Sequence, residues 1–383
     1  MSEQRNASLR RLPSLTGLRA LAAFAVFAPH ALHLPELYAN KDIHSSLLIT
    51  QGLAVAGVSL FFVLSGFVLT WSADRSEHAR VIWRRRFIRL WPAHAVSLVL
   101  SVLYLAWVGK ASDSPMPSTP STDTDALLVQ FFLVHVWAPV PRYFSAGNPV
   151  AWSLACEIFF YLCFPTLLHI LHMIPIRFLW ATAIGTAVVG LMIPLSVQCI
   201  DGPNVLESIP VPLEQLWLGY FFPPSRLPEF ALGMMLARLI TEGRWPRIRA
   251  RYTVCMPLAT LLLTAILPPV FSFGGIYGSA SALLIGSIAI LDIERSRSWL
   301  RSALMVWLGE RSYAFYLIHY LTITATFALL LGNRNKFPGV AATAIALLLF
   351  FPLSILAAHL LHACVERPMT ARFSARRKVL GPE

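Results

Sequence analysis

Charge is scarce in this chain of 383 residues: 13% of them are charged, against about 25% in soluble globular chains. Acidic residues are the scarcer sign, 19 Asp plus Glu against 31 Lys plus Arg, for a net of +12. Lysine is nearly missing; Lys41, Lys110, Lys336 and Lys378 are the four present, and the other basic residues are Arg. A composition this poor in charge excludes a disordered chain and a coiled coil. Cysteine is also sparse. Cys156, Cys163, Cys199, Cys255 and Cys364 are odd in number and contain no C-x-x-C pair, which excludes a secreted disulfide scaffold. Three of the five sit inside apolar runs and two just past the end of one, where the thiol packs as a small hydrophobe. There is no phosphate-cradling G-x-x-x-x-G-K-[ST], no G-x-S-x-G elbow and no H-E-x-x-H, so several common enzyme classes lose their signatures.

Apolar residues take the place of charge. They make up 56% of the chain, and the mean hydropathy is +0.63. A basic balance can mean nucleic acid, but a nucleic-acid domain would not carry this much apolar surface, so no nucleic-acid partner is expected. Basic residues beside long apolar runs indicate membrane topology and lipid as the surrounding partner. The predicted fold class is all-α, a polytopic membrane protein.

A spanning helix needs about 20 mostly apolar residues. Such runs lie at 14–33, 50–71, 91–109, 151–174, 178–197, 215–240, 252–271, 275–292, 303–331 and 339–362, with a shorter apolar piece at 126–138. Arg5, Arg10 and Arg11 precede the first run, and Arg75, Arg80, Arg84, Arg85, Arg86 and Arg89 follow the second. Further basic groups lie at Arg244–Arg251, Arg295–Arg301 and Arg367–Lys378, whereas 34–49, 110–125 and 198–214 hold few Arg. The positive-inside rule then places both termini in the cytoplasm of a cell whose inner membrane holds the protein. The basic loops at 72–90 and 241–251 face the same side, so an even number of spans separates them. Five apolar pieces lie between, and 126–138, the shortest, is expected to be re-entrant or interfacial. Ten spans result. Residues 1–370 read as one integral-membrane domain and 371–383 as a basic cytoplasmic tail. Met1–Pro13 is polar and basic, and no small-residue cleavage site follows the first run, so no cleavable signal peptide is expected.

Ionisable groups inside spans are costly and mark function. The first run contains Arg19 and His30. Eleven residues are about three helical turns, so the two share a direction and lie about 16 Å apart along the axis. Arg19 is suited to an anion near the rim, and His30 to proton transfer deeper in. After the turn signal Asn148-Pro149, Glu157 lies about two turns into an otherwise apolar helix. A lone carboxylate there needs a partner, and a buried His is the nearest plausible one; the pair would orient and charge-balance the imidazole. The stretch Arg84–Pro92 carries four Arg, of which Arg86 and Arg89 share a face if helical. It serves as a topology signal and equally as a phosphate site, since the planar guanidinium matches phosphate oxygens. His169/His172 and His359/His362 are spaced i, i+3, but nothing completes a metal set at zinc-like spacing, so no metal is expected.

With these residues in view, the chain resembles the acyltransferase family 3 membrane proteins nearly end to end. LTGLRALAAFAVFAPH is similar to the family's first helix, with Arg19 and His30 separated by ten positions. GVSLFFVLSGFVLT resembles its second helix, centred on Ser65-Gly66, and RRFIRLWP its R-x-x-R loop, carried by Arg86, Arg89 and Pro92. WSLACE matches at Trp152, Ser153 and Glu157, and RLPEFALG at Arg226, Glu229, Phe230 and Gly233. GERSYAFYLIH, with Ser312, Tyr313, Tyr316 and His319, and VERP, with Glu366, complete the order.

The resemblance implies acyl transfer, commonly of acetyl, from acyl-coenzyme A to a hydroxyl, usually on a carbohydrate. It implies a catalytic His30 held or charge-balanced by Glu157, with Arg19, Arg86 and Arg89 receiving the coenzyme A phosphates. Ser65, Trp152, Ser153, Tyr313 and His319 are candidates for the substrate or oxyanion contacts. The chain ends after the tenth run without an appended esterase-like domain, which looks like the stand-alone branch that acylates macrolide or sugar hydroxyls. O-acetylation of a surface polysaccharide is the alternative. A reading of another class is a proton-coupled transporter of a glycolipid or polyketide, although the paired broken helices of inverted-repeat transporters are missing.

Overall fold

The computed structural model describes residues 12–34, 37–47, 50–74, 77–111, 122–206, 209–331 and 336–373. Arg5, Arg10, Arg11, Arg75 and Lys378, assigned above to topology, lie outside the described residues, as does the tail from 374 onward. Long helices carry the chain: α1 (Pro13–Leu32), α2 (Gln51–Ser72), α3 (Ala79–Ala111), the short α4 (Thr124–Phe131), α5 (Trp152–Met173) and α6 (Leu179–Val197). They are followed by α7 (Pro223–Thr241), α8 (Cys255–Ile266), α9 (Ile276–Ile293), α10 (Ala303–Glu310), α11 (Ser312–Thr326) and α12 (Gly339–Phe373). Among the described residues the sheet content is one antiparallel ribbon, Asn204–Leu206 against Ile209–Pro212.

Among the described residues eight helices are long and apolar enough to cross a membrane: α1, α2, α3, α5, α6, α9, α11 and α12. The two other expected spans are helical but fall short on different grounds. The helix α7 carries Arg226, Glu229 and Arg238, and α8 ends after 12 residues. The piece at 126–138 forms an eight-residue helix and then turns; eight residues rise about 12 Å, too little to cross. The basic stretch expected in a loop is instead the start of α3, since Arg is a good helix former and no Gly interrupts 79–91. The outer helices show bare apolar side chains. Only 11% of the spanning part of α6 is buried within the protein, and Ile184, Val188, Val189 and Met192 face outward. Hydrocarbon, not water, suits that surface, as in a multi-pass membrane protein.

The interior is organised around α2 and α7. They cross so closely that a Cβ at Gly66 would strike the Phe230 carbonyl, and one at Gly233 would strike the Val63 carbonyl. Small residues permit this approach where helices have no hydrophobic drive to associate in lipid. A polar lock joins the same two helices. Arg226 and Glu229, 2% and 3% exposed, pair at 3.0 Å, and Glu229 accepts from Ser59 of α2 at 2.9 Å. Arg226 also donates to the Phe273 carbonyl and lies over the Phe62 and Tyr220 rings. A buried ion pair with this many partners holds helix register, although an apolar pair of similar volume can be as stable. Around this crossing, Trp83 of α3 donates to the Tyr161 carbonyl of α5 at 2.9 Å. Tyr313 of α11 donates to the Leu90 carbonyl of α3 at 2.6 Å. These contacts fix α3, α5 and α11 as the walls of one cavity.

Candidate active site

That cavity opens at the end of the bundle where α1 and α3 begin and encloses about 760 Å³ including its mouth. Arg19 enters it from α1, Ser65 from α2, Arg86 and Arg89 from α3, Ser153, Glu157 and Tyr161 from α5, and Ser312, Tyr313 and Tyr316 from α11. Arg86 and Arg89 are three apart on a helix and therefore face it together. Among the described residues no carboxylate comes within ion-pair distance of Arg19, Arg86 or Arg89. Three guanidinium groups thus meet one carboxylate, Glu157, in a cavity whose remaining walls are Val58, Phe61, Phe62, Leu64, Val68, Leu69, Leu90 and Leu154.

Glu157 is held from its own helix. Tyr161, one turn on, donates to its Oε2 at 3.0 Å, which leaves the Tyr161 oxygen to accept from Ser65 at 3.1 Å. The Arg86 guanidinium sits 5.8 Å above the Tyr161 ring. Among the described residues no hydrogen bond joins Glu157 to His30, the partner expected for it. Glu157 lines the cavity together with Arg19, whereas the polar partners of His30 are the Val26 carbonyl and His319, and His30 is not among the cavity's lining residues.

His30 meets a different group. Its Nδ1 lies 3.2 Å from Nε2 of His319 on α11, and the ring centroids are 5.1 Å apart. His319 is completely buried and is not among the residues that line the cavity. Tyr316 connects the two regions: it lines the cavity, and its ring centroid is 6.0 Å from that of His319. Ser153 donates to the Tyr316 hydroxyl at 2.7 Å, and Tyr316 donates to the Val150 carbonyl at 3.0 Å. Tyr313 spends its proton on Leu90. Trp152 stays behind the wall, packed on Tyr220 with centroids 4.5 Å apart and edge-on to Phe62.

Sequence reasoning missed Ser312 and two tyrosines, Tyr161 and Tyr316, as cavity residues. Both tyrosines carried a signal, since Tyr161 is i+4 from Glu157 and Tyr316 is i+3 from Tyr313. The paired histidines are occupied elsewhere: His172 bonds the Leu168 carbonyl, His359 accepts from Arg311, and His362 pairs with Glu366. Among the described residues no group of three metal-ligating side chains gathers.

Comparison with known proteins gives the chain its relatives. The sequence model of an acyltransferase domain, acyltransferase 3, matches residues 12–359. Acyltransferase MdmB of Streptomyces mycarofaciens is 35% identical over 374 residues, 96% of this chain and 94% of its own length. Peptidoglycan O-acetyltransferase OatA of Listeria monocytogenes is 28% identical over 315 residues, 70% of this chain. O-acetyltransferase OatA of Staphylococcus aureus is 28% identical over 295 residues, 69% of this chain. The match spans 45% of the length of each of these two relatives. No solved structure matches. An apolar helix bundle with a basic internal cavity, matched over most of its length, thus has its place: the chain belongs to the acyltransferase 3 family and is a membrane enzyme that transfers acyl groups.

Proposed function

We propose that the protein transfers an acyl group, commonly acetyl, from acyl-coenzyme A to a hydroxyl of a sugar or a glycosylated polyketide. The observation that carries this reading is that, among the described residues lining the cavity, three guanidinium groups face one carboxylate, with the nearby Glu366 paired to His362. Unpaired cations there are costly, and a donor with several phosphates offsets that cost while supplying bidentate partners for Arg86 and Arg89. The donor's flexible arm then runs along α1 toward His30, which takes the proton of the acceptor hydroxyl as oxygen attacks the thioester carbonyl. Glu157 positions Tyr161 and balances part of the arginine charge at the phosphate end. Both termini and the basic cavity face the cytoplasm in this reading, where coenzyme A is made. The matched portions of the two O-acetyltransferases favour a second acceptor, a cell-surface polysaccharide.

Membranes bearing the protein are expected to move radiolabelled acetyl from acetyl-CoA onto a hydroxylated acceptor. Mass spectrometry of metabolites and glycans with and without the gene separates the two acceptor classes. An outcome with no acylated product of either kind overturns the reading. Arg86→Ala and Arg89→Ala are each expected to raise the KM for acyl-CoA by about tenfold or more, since a hydrogen bond to a charged group contributes about 1.5–3 kcal/mol. Lysine at either position keeps the charge but loses the fork, so its KM falls between. An unchanged KM in both alanine variants removes the arginines from donor binding.

A further inference from the structure

The contacts of His30 and His319 determine where their protons sit. His319 Nδ1 faces two backbone carbonyls, Tyr316 at 2.8 Å and Phe315 at 3.2 Å. A carbonyl only accepts, so in the neutral ring Nδ1 carries the hydrogen and Nε2 presents a lone pair. That lone pair points at His30 Nδ1, 3.2 Å away, which also faces the Val26 carbonyl at 2.9 Å. With acceptors on both sides, Nδ1 of His30 must carry the hydrogen of that ring. Nε2 of His30 is left as the basic atom.

From this geometry we propose that His30 and His319 form a dyad. His319 is the positioning residue that accepts from His30 Nδ1–H, and His30 Nε2 is the atom that takes the substrate proton. The dyad rests on the reading of His30 as the general base. Its proton balance closes. The acceptor oxygen bonds to the thioester carbon and its proton moves to His30 Nε2. The imidazolium's charge is then shared through Nδ1–H with the His319 lone pair. When the carbon–sulfur bond breaks, the same proton passes from Nε2 to the departing thiolate. His319 takes the place that a carboxylate holds in a Ser-His-Asp triad. A neutral ring suits this depth, because it needs no counter-charge in the resting enzyme, whereas a buried carboxylate would. Phe27, Phe315 and Tyr320 wall the pair with ring centroids 5.7–6.2 Å from one imidazole or the other, and excluding water strengthens the bond.

Two substitutions at His319 separate an acceptor from a filler. His319→Phe keeps a ring without an acceptor and is expected to lower kcat by about 10²–10³, the scale of a general-base contribution, with the donor KM within about twofold. His319→Gln places a carbonyl oxygen near the position of Nε2 and is expected to retain kcat within about tenfold of wild type. Wild-type kcat in His319→Phe, or equal loss in both variants at equal protein level, overturns the dyad. Should His319→Phe not accumulate, ¹⁵N spectra of histidine-labelled wild-type protein in detergent test the same point. Pyrrole-type Nδ1 and pyridine-type Nε2 are expected for both rings, and the reverse assignment for His30 overturns it. These spectra do not depend on turnover. Full activity of His30→Ala would remove the base reading itself, and with it the dyad's catalytic role, while leaving the measured tautomers unchanged.

Discussion

Replacing His30 by alanine is expected to reduce acyl transfer by about 10²–10⁴-fold in membranes that hold a normal amount of the protein. The magnitude follows from the chemistry. A hydroxyl at neutral pH is a poor nucleophile, and a positioned base removes its proton only as the bond to carbon forms. Among the described residues the other groups nearby are engaged: His33, one turn on, has its Nε2 2.8 Å from both the Leu47 carbonyl and the Thr50 hydroxyl. His319 is completely buried, its Nδ1 committed to backbone carbonyls, and Glu157 accepts from Tyr161 in the arginine cavity, which His30 does not line. The fold is expected to tolerate the change, since His30 is half-buried near the end of α1 and its links are one backbone carbonyl and His319. Acetyl transfer by membranes containing equal amounts of wild-type and variant protein is the measurement. Undiminished turnover would assign the proton to another group, and an equal loss of protein would make the effect structural.

The second large effect concerns the α2–α7 crossing. Gly233→Leu and Gly66→Leu are each expected to remove most folded protein. A side chain added to a packed core costs about 1–3 kcal/mol when flexible neighbours yield. Here the obstacle at each site is the opposite helix's own backbone, the Val63 carbonyl for Gly233 and the Phe230 carbonyl for Gly66. Relief requires the helices to part, which would strip Arg226 and Glu229 from Ser59 and leave charges unpaired in the interior. Against a total stability of about 5–15 kcal/mol, several kcal/mol is decisive. Size-exclusion chromatography of detergent-solubilised fluorescent fusions should show the monodisperse peak lost. A normal peak for both variants would mean that the helices are not in contact at these glycines.

Much of the architecture was legible along the chain. The apolar runs appear as helices in order, and Asn148-Pro149 precedes a helix that begins at Trp152. Arg19, Arg86, Arg89, Ser65, Ser153, Glu157 and Tyr313 come together in one cavity as a group. What the order of residues left open was decided by distance in space. The run at 215–240 looked like an ordinary span, yet its charges turn inward as a lock on α2. His319 was grouped with possible substrate contacts, since nothing in the order of residues shows that α11 presses it onto α1.

The scarcity of charge determined by itself that the chain lives in a membrane and that few ionisable residues stand inside its helices. Hydrocarbon imposes that rule locally, residue by residue, because each spanning segment must be apolar and must satisfy its own backbone. Which of those ionisable residues meet was decided by tertiary structure alone. Pairing depends on the rotation and depth of each helix, and these are set by remote close contacts such as Gly66 on Phe230. For that reason Glu157 joins the arginines and His30 joins His319.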